Sequence, residues 1–203
     1  ILSNLNKNRM VIVLTLICAV TALALGAVNS ATEKPIADNL REKSEAAMRE
    51  VFTSSSYEEM EFDYTKYPMV KRLYRADGGY VAEVAPNGFN GAVTLMVGIN
   101  ADENNQDEYL TISGVAVVSH SETPELGAEA QNAEWLSQFI GNRHSELIKN
   151  GGNIDALTGA TITSRAVVSG VNTAIALITD VEDITGALPA TKEQIAASEG
   201  QTK

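Results

Sequence analysis

Hydrophobic and polar positions change rhythm several times along this chain. From Met10 to Thr32 no residue carries a formal charge, and "MVIVLTLICAVTALALGAV" is the apolar part of that run. As a helix it would span about 28 Å, close to the roughly 30 Å hydrocarbon core of a bilayer. The small residues Val28, Ser30 and Ala31 suggest a cleaved signal peptide as the alternative. Signal-peptide apolar regions run only ~7–15 residues, shorter than this one. The pattern predicts one transmembrane helix over 10–31, behind a short N-terminus of 1–9.

Beyond it, Ile36, Leu40, Ala47, Met48 and Val51 return at helical spacing, and Pro35 suits a first-turn position. This predicts a stalk helix within 32–56, ended by "TSSSY". The rhythm then shortens to two. "MEFDY" alternates as a strand would, and "VKRLYRADGGYVAEVA" reads as a hairpin turning at Asp77-Gly78-Gly79. "GAVTLMVGIN" and "YLTISGVAVVS" give two more strands, joined by "ADENNQDE". Trp135, Leu136, Phe139, Ile140, Leu147 and Ile148 share a stripe that predicts a helix over 133–149, interrupted at Gly141. Val167, Val168, Val171, Ala174, Ile175 and Ile178 mark a last helix, and residues 189–203 form a polar tail. Strands in succession followed by helices predict an α+β domain over 57–188, a largely antiparallel sheet with flanking helices.

Charge adds a direction. Lys7 and Arg9 precede the apolar run, so the positive-inside tendency puts that end in the cytoplasm. The expectation is a single-pass protein of the cell membrane, held in lipid by one helix, with its body extracytoplasmic. Residues 33–203 hold 13 basic against 26 acidic side chains, a net charge of −13. Such a body repels phosphate backbones and anionic lipid surfaces, which argues against nucleic-acid binding. The single cysteine, Cys18, lies inside the apolar run. Internal disulfides, Cys-ligated zinc and iron–sulfur clusters need more thiols than that. Redox chemistry would therefore require a bound organic cofactor or another subunit.

The segment "DALTGATITSRAV", Asp155 to Val167, carries the candidate chemistry. Thr158-Gly159-Ala160-Thr161 can turn tightly, and Thr163 or Ser164 can cap a helix beginning near Arg165. A helix N-terminus also suits a phosphate, to which Arg165 would add charge. On these residues alone, capping and phosphate binding both stand. His120 and Glu122 read more readily as solvated loop residues than as an acid/base pair, and His144 as a surface or satisfied histidine. Asp102, Asn104, Asp107 and Glu108 crowd oxygen atoms together but miss the EF-hand pattern, so a solvated strand connection is preferred and no metal site is predicted. Ser119, Ser121 and the two histidines form neither a nucleophile elbow nor an ordered triad.

Asp-x-x-Thr-Gly-Ala-Thr before a helix resembles the flavinylation signature of covalent FMN-binding domains, in which a threonine is esterified to the flavin phosphate. The resemblance implies Thr161 as the acceptor, with Asp155, Thr158, Gly159 and Ala160 completing the motif. "HSETPELG" is similar to the His-x-Glu-Thr-Pro-Gly-Leu-Gly loop that approaches the flavin in these domains. It would bring His120, Glu122, Thr123, Leu126 and Gly127 to the ring. Glu125 stands where the family usually has glycine, a departure that touches the local turn. "GFNGAV" at Gly88 to Val93, "EWLSQF" and the N-terminal apolar run also fall in family order, so the likeness covers nearly the whole chain.

Within this family the likeness is closest to the G subunits of Rnf-type ferredoxin:NAD oxidoreductase complexes. The C subunits of sodium-translocating NADH:quinone reductases are its nearest cousins and the alternative reading, with the same tether and different partners. It implies a covalent FMN and a role as electron carrier rather than as an enzyme alone. Partners would be the other membrane subunits of an ion-translocating complex and a flavin transferase that takes FMN from FAD. A threonine hydroxyl is a poor nucleophile without a neighbouring base, and the motif contains none, which agrees with a separate transferase. The reading from another class is an anchored extracytoplasmic binding or assembly module, without cofactor, in which "TGAT" only caps a helix.

Overall fold

The computed structural model describes residues 2–101, 110–147 and 151–181, with side chains from Arg9 onward. The acidic run from Asp102 to Glu108, Ile148 and Lys149, and the 189–203 tail lie outside the described residues.

The predicted anchor and stalk are one helix, α1, Leu2–Val51, and Pro35 sits in its interior rather than in a first turn. Proline removes one helical donor and crowds the preceding turn. Thr32 Oγ1 donates to the carbonyls of Val28 and Asn29, and Asn39 Nδ2 donates to that of Pro35. Side chains thus serve two carbonyls before the proline and the proline's own. The apolar part of α1 is long and apolar enough to cross a membrane, with none of it buried.

By contacts the chain divides into two units, Ile1–Lys43 and Ser44–Lys203. The second unit contains the last turns of α1 and an antiparallel sheet in the order β1-β2-β3-β4-β5. Its strands are β1 (Tyr57–Met60), β2 (Val70–Ala76), β3 (Gly79–Val84), β4 (Thr94–Asn100) and β5 (Ile112–Ser119). A 3₁₀ turn (Gly127–Gln131), a single turn α2 (Ala133–Leu136), a second 3₁₀ turn (Ser137–Phe139) and α3 (Thr161–Val181) follow. The α+β expectation holds, and so does the hairpin. Ala76 pairs Gly79 across Asp77-Gly78, and Gly78 takes φ +82°, which glycine adopts without strain.

Both faces of the sheet are covered. Tyr80, Ala82 and Val84 of β3 and Leu95, Val97 and Ile99 of β4 pack with Val167, Val171, Ala174, Ile175 and Ile178 of α3. On the other face Val81, Met96, Ala116 and Val118 meet Ala47, Val51 and Phe52. Each fully buried Leu, Ile or Val contributes about 1.5–3 kcal/mol of transfer free energy. Two strand glycines set how closely α1 can approach. A Cβ on Gly98 would stand 2.4 Å, and one on Gly114 2.9 Å, from Val51 O. Ser113 Oγ donates to that same carbonyl at 2.7 Å.

Two predicted elements are corrected. The first strand ends at Met60, because Asp63 takes the backbone N–H of Thr65 at 2.9 Å and turns the chain there. The helix expected over 133–149 shrinks to α2 and one 3₁₀ turn. Gly141, at φ +79°, reverses the chain, and Asn142 and Gly141 exchange backbone hydrogen bonds with Ile112 at the start of β5. His144 is exposed and lies outside any helix.

Candidate functional site

Helix α3 begins at Thr161, four residues before the expected start. Thr163 and Ser164 therefore lie inside its first turn, both fully buried, and neither caps it. Ser164 instead ties the preceding loop to the helix. Its Oγ donates to Ala160 O at 3.0 Å and accepts the N–H of Leu157 at 2.9 Å. Gly159 takes φ +74° in this loop, where a side chain would be strained. From the other side, Trp135 Nε1 donates to Asp155 O at 2.7 Å, and Gln138 Oε1 accepts Asp155 N–H at 2.8 Å. The loop is held at both ends, and Thr161 is what it presents. That side chain is half-buried, and its hydroxyl makes no hydrogen bond among the described residues. The backbone N–H groups of a first helical turn have no intrahelical acceptor, so they face the same space.

Glu122 sits behind that turn with 6% of its surface exposed. Its Oε1 accepts the N–H groups of Phe89 at 2.8 Å and Asn90 at 3.1 Å. Its Oε2 accepts the Thr163 hydroxyl at 2.9 Å. Its own N–H donates to His120 Nδ1 at 3.2 Å. Glu122 is therefore not a solvated loop residue, whereas His120 is a half-buried one, and the pair is not arranged as acid and base toward an open site.

A cleft of about 340 Å³ opens in front of α3. Of the residues expected at the site, Glu122, Thr123, Leu126, Gly127, Gly159, Ala160, Thr161 and Thr163 line it. Asp155, Thr158, His120 and Ser164 do not; they hold or form the loops around it. Arg165 is corrected. It lies one turn further along α3 and lines a different, more open hollow of about 570 Å³ with Lys66, His144 and Asn172. That larger hollow contains neither Thr161 nor Glu122. Phe89 and Ile162 complete the cleft and were not singled out from sequence. Both are large apolar residues left exposed, at 66% and 50%. Such exposure beside a polar turn was the signal available, but it needs the fold to become visible. Glu125 takes φ +62°, so the glycine-type turn is kept although the side chain is not glycine.

The arrangement combines a free hydroxyl, the positive end of a 21-residue helix and an apolar rim of Phe89, Leu126 and Ile162. It suits a phosphate joined to a planar apolar group. Cofactor clefts usually hold ~300–1,000 Å³, so this one grips one end of such a ligand and leaves the rest open. A monophosphate like FMN fits that description. No group of three metal-ligating side chains exists among the described residues.

Comparison with known proteins agrees with this geometry. A family model described as FMN-binding domain matches residues 88–176, which enclose every residue lining the cleft. The G subunit of the ion-translocating oxidoreductase complex of Methanosarcina acetivorans is 32% identical over 179 residues, 83% of this chain and 92% of that protein. The G subunit of the same kind of complex in Pseudoalteromonas atlantica is 37% identical over 143 residues, 63% of each chain. That from Escherichia coli O157:H7 is 42% identical over 99 residues, 44% of this chain and 45% of that one. The chain therefore belongs to the family of G subunits of ion-translocating oxidoreductase complexes, and the cleft before α3 lies in its FMN-binding domain.

Proposed function

We propose that this chain is the membrane-anchored electron carrier of an ion-translocating ferredoxin:NAD oxidoreductase complex, with FMN esterified through its phosphate to Thr161 Oγ1. The observation that supports Thr161 is the fate of its neighbours. Thr163 spends its hydroxyl on Glu122 and Ser164 on Ala160 O, while Thr158 does not line the cleft. Among the hydroxyls of this loop and first turn, Thr161 alone combines a free oxygen with a place in the cleft and at the head of α3.

FMN supplies reversible electron transfer, and the protein supplies binding, orientation and electrostatics. The first-turn N–H groups of α3 would hold the phosphate, and Phe89, Leu126 and Ile162 would border the ring. Leu157, through its N–H to Ser164 Oγ, keeps the loop closed on the helix. The cleft offers Thr161 no arranged base, since both oxygens of Glu122 are committed elsewhere. This agrees with attachment by a separate flavin transferase that takes FMN from FAD, as the family resemblance implies.

The N-terminal part of α1, over 10–31, is the membrane anchor in this reading, residues 1–9 are cytoplasmic, and the flavin domain over 57–188 is extracytoplasmic. A covalent tether then retains a cofactor that has no pool to be refilled from. Protein produced together with a flavin transferase should give a denatured gel band that fluoresces under ultraviolet light. Thr161→Ala should be dark and Thr161→Ser fluorescent. A dark native band would leave the cofactor-free binding module as the better reading.

A further inference from the structure

We propose that Glu122 is the positioning residue of the attachment site: its buried carboxylate locks the Phe89 loop to the first turn of α3, so that Thr161 is presented at a cleft already formed. This rests on the reading of Thr161 as the acceptor.

A carboxylate this buried is costly unless hydrogen bonds compensate its charge. The chain supplies three donors to it, from Phe89, Asn90 and Thr163. All three are dipoles, two backbone N–H groups and one hydroxyl. Hydrogen bonds to an ionised acceptor are about twice as strong as neutral ones. Thr163 is the third residue of α3, so the carboxylate also meets the positive end of the helix, where an anion is favoured.

The neighbouring glycines show that space is reserved for this group. A Cβ on Gly88 would stand 2.2 Å from Glu122 Oε1, and one on Gly127 2.5 Å from Oε2. Three segments far apart in sequence thus converge on two oxygen atoms. Those segments carry the walls of the cleft: Phe89 on one, Leu126 and Gly127 on the second, Thr161 and Ile162 on the third. The carboxylate shapes the site from behind, and it does not act on the hydroxyl. A site whose walls are locked before binding avoids the ordering cost when a transferase engages it.

The test follows loading of the full-length chain by a flavin transferase as a time course of intact mass. Unfolding midpoints are taken in parallel on the Thr161→Ala background, where no flavin contributes. Glu122→Ala should load about tenfold more slowly or worse, because it removes all three hydrogen bonds to the carboxylate. Glu122→Gln keeps a carbonyl for the two N–H groups and an amide toward Thr163, and should restore most of the rate.

Asn172→Ala is the control for stability alone. It releases the two hydrogen bonds that clamp Ser145 beside α3, away from the cleft, and should load as the native chain does. If Glu122→Ala does not fold, Thr163→Val decides, since it removes one bond of the three and should slow loading severalfold. Native-rate loading in Glu122→Ala or Thr163→Val overturns the proposal, as does an equal slowing in Asn172→Ala. If the native chain itself takes up no flavin, the assignment of Thr161 fails instead.

Discussion

A Cβ on Gly127 would meet Glu122 Oε2 on one side and Thr163 Oγ1, at 2.9 Å, on the other. Neither can retreat without breaking a buried hydrogen bond, so Gly127→Ala should cost about 1–3 kcal/mol. A urea midpoint equal to the native value, at unchanged slope, would contradict this. Glu125 predicts the opposite sign. Its left-handed backbone costs a non-glycine residue about 1–2 kcal/mol, while glycine gives back ~0.5–1 kcal/mol in chain entropy. Glu125→Gly should therefore raise stability by about 0.5–1 kcal/mol; a lower midpoint would refute it. At this scale the two loops that line the cleft were legible in the sequence, and the hydrogen bonds that hold them were not. Thr163 and Ser164 looked like caps because hydroxyls before an apolar stripe usually are. The stripe, counted from Val167, hid the first turn of α3, where both hydroxyls point inward. Glu122 was opaque for another reason: its partners lie 33, 32 and 41 residues away, beyond any local spacing rule.

Among the elements, the end of α1 depends on the glycines beneath it. A Cβ on Gly98 would also stand 2.4 Å from Ser113 Oγ. Gly98→Ala should push Val51 off the sheet and lower stability by about 1–3 kcal/mol. Chemical unfolding checks this, and an unchanged midpoint would mean that the helix end can shift at no cost. At the far end of α3, Lys66 and Tyr67 both hydrogen-bond Asp180. The Lys66 bond first, then Tyr67, holds the Asp180 carboxyl below its ordinary value of 3.8. Burial first, then Asp180, pushes the Tyr67 hydroxyl above its ordinary 10.0. The sign is opposite for the two groups. Asp180's contribution is whole above about pH 4 and lost as pH falls through its folded value, whereas Tyr67's is whole below about pH 10 and lost as pH rises. Tyr67→Phe should therefore flatten both limbs of a stability profile taken at pH ~3, ~7 and ~10.5; parallel profiles would contradict the clasp. The hairpin and the strands β2 to β5 were legible as short apolar runs between turn residues, β3 and β4 being buried almost throughout, whereas the alternation of "MEFDY" misplaced β1. The stripe from Trp135 to Leu147 misled because Trp135, Leu136, Phe139 and Leu147 do enter one core, but along a chain that leaves Ile140 exposed and reverses at Gly141 rather than along one helix.

For the whole molecule, family and geometry meet at the same place. The residues matched as an FMN-binding domain run from the Phe89 loop through most of α3, and the cleft with Thr161 lies inside them. The uncharged run was legible from sequence alone as a helix long and apolar enough to cross a membrane, since that needs no tertiary information. The anchor reading predicts that alkaline carbonate washing leaves the chain in the membrane pellet, and that removing residues 1–31 releases it. Appearance of the full chain in the wash would contradict it. Mass analysis of the native protein decides the ester at Thr161. The esterified chain has an intact mass raised by FMN less one water, with the added mass on the peptide that contains Thr161. An unmodified intact mass, or an adduct on any other residue, would contradict it.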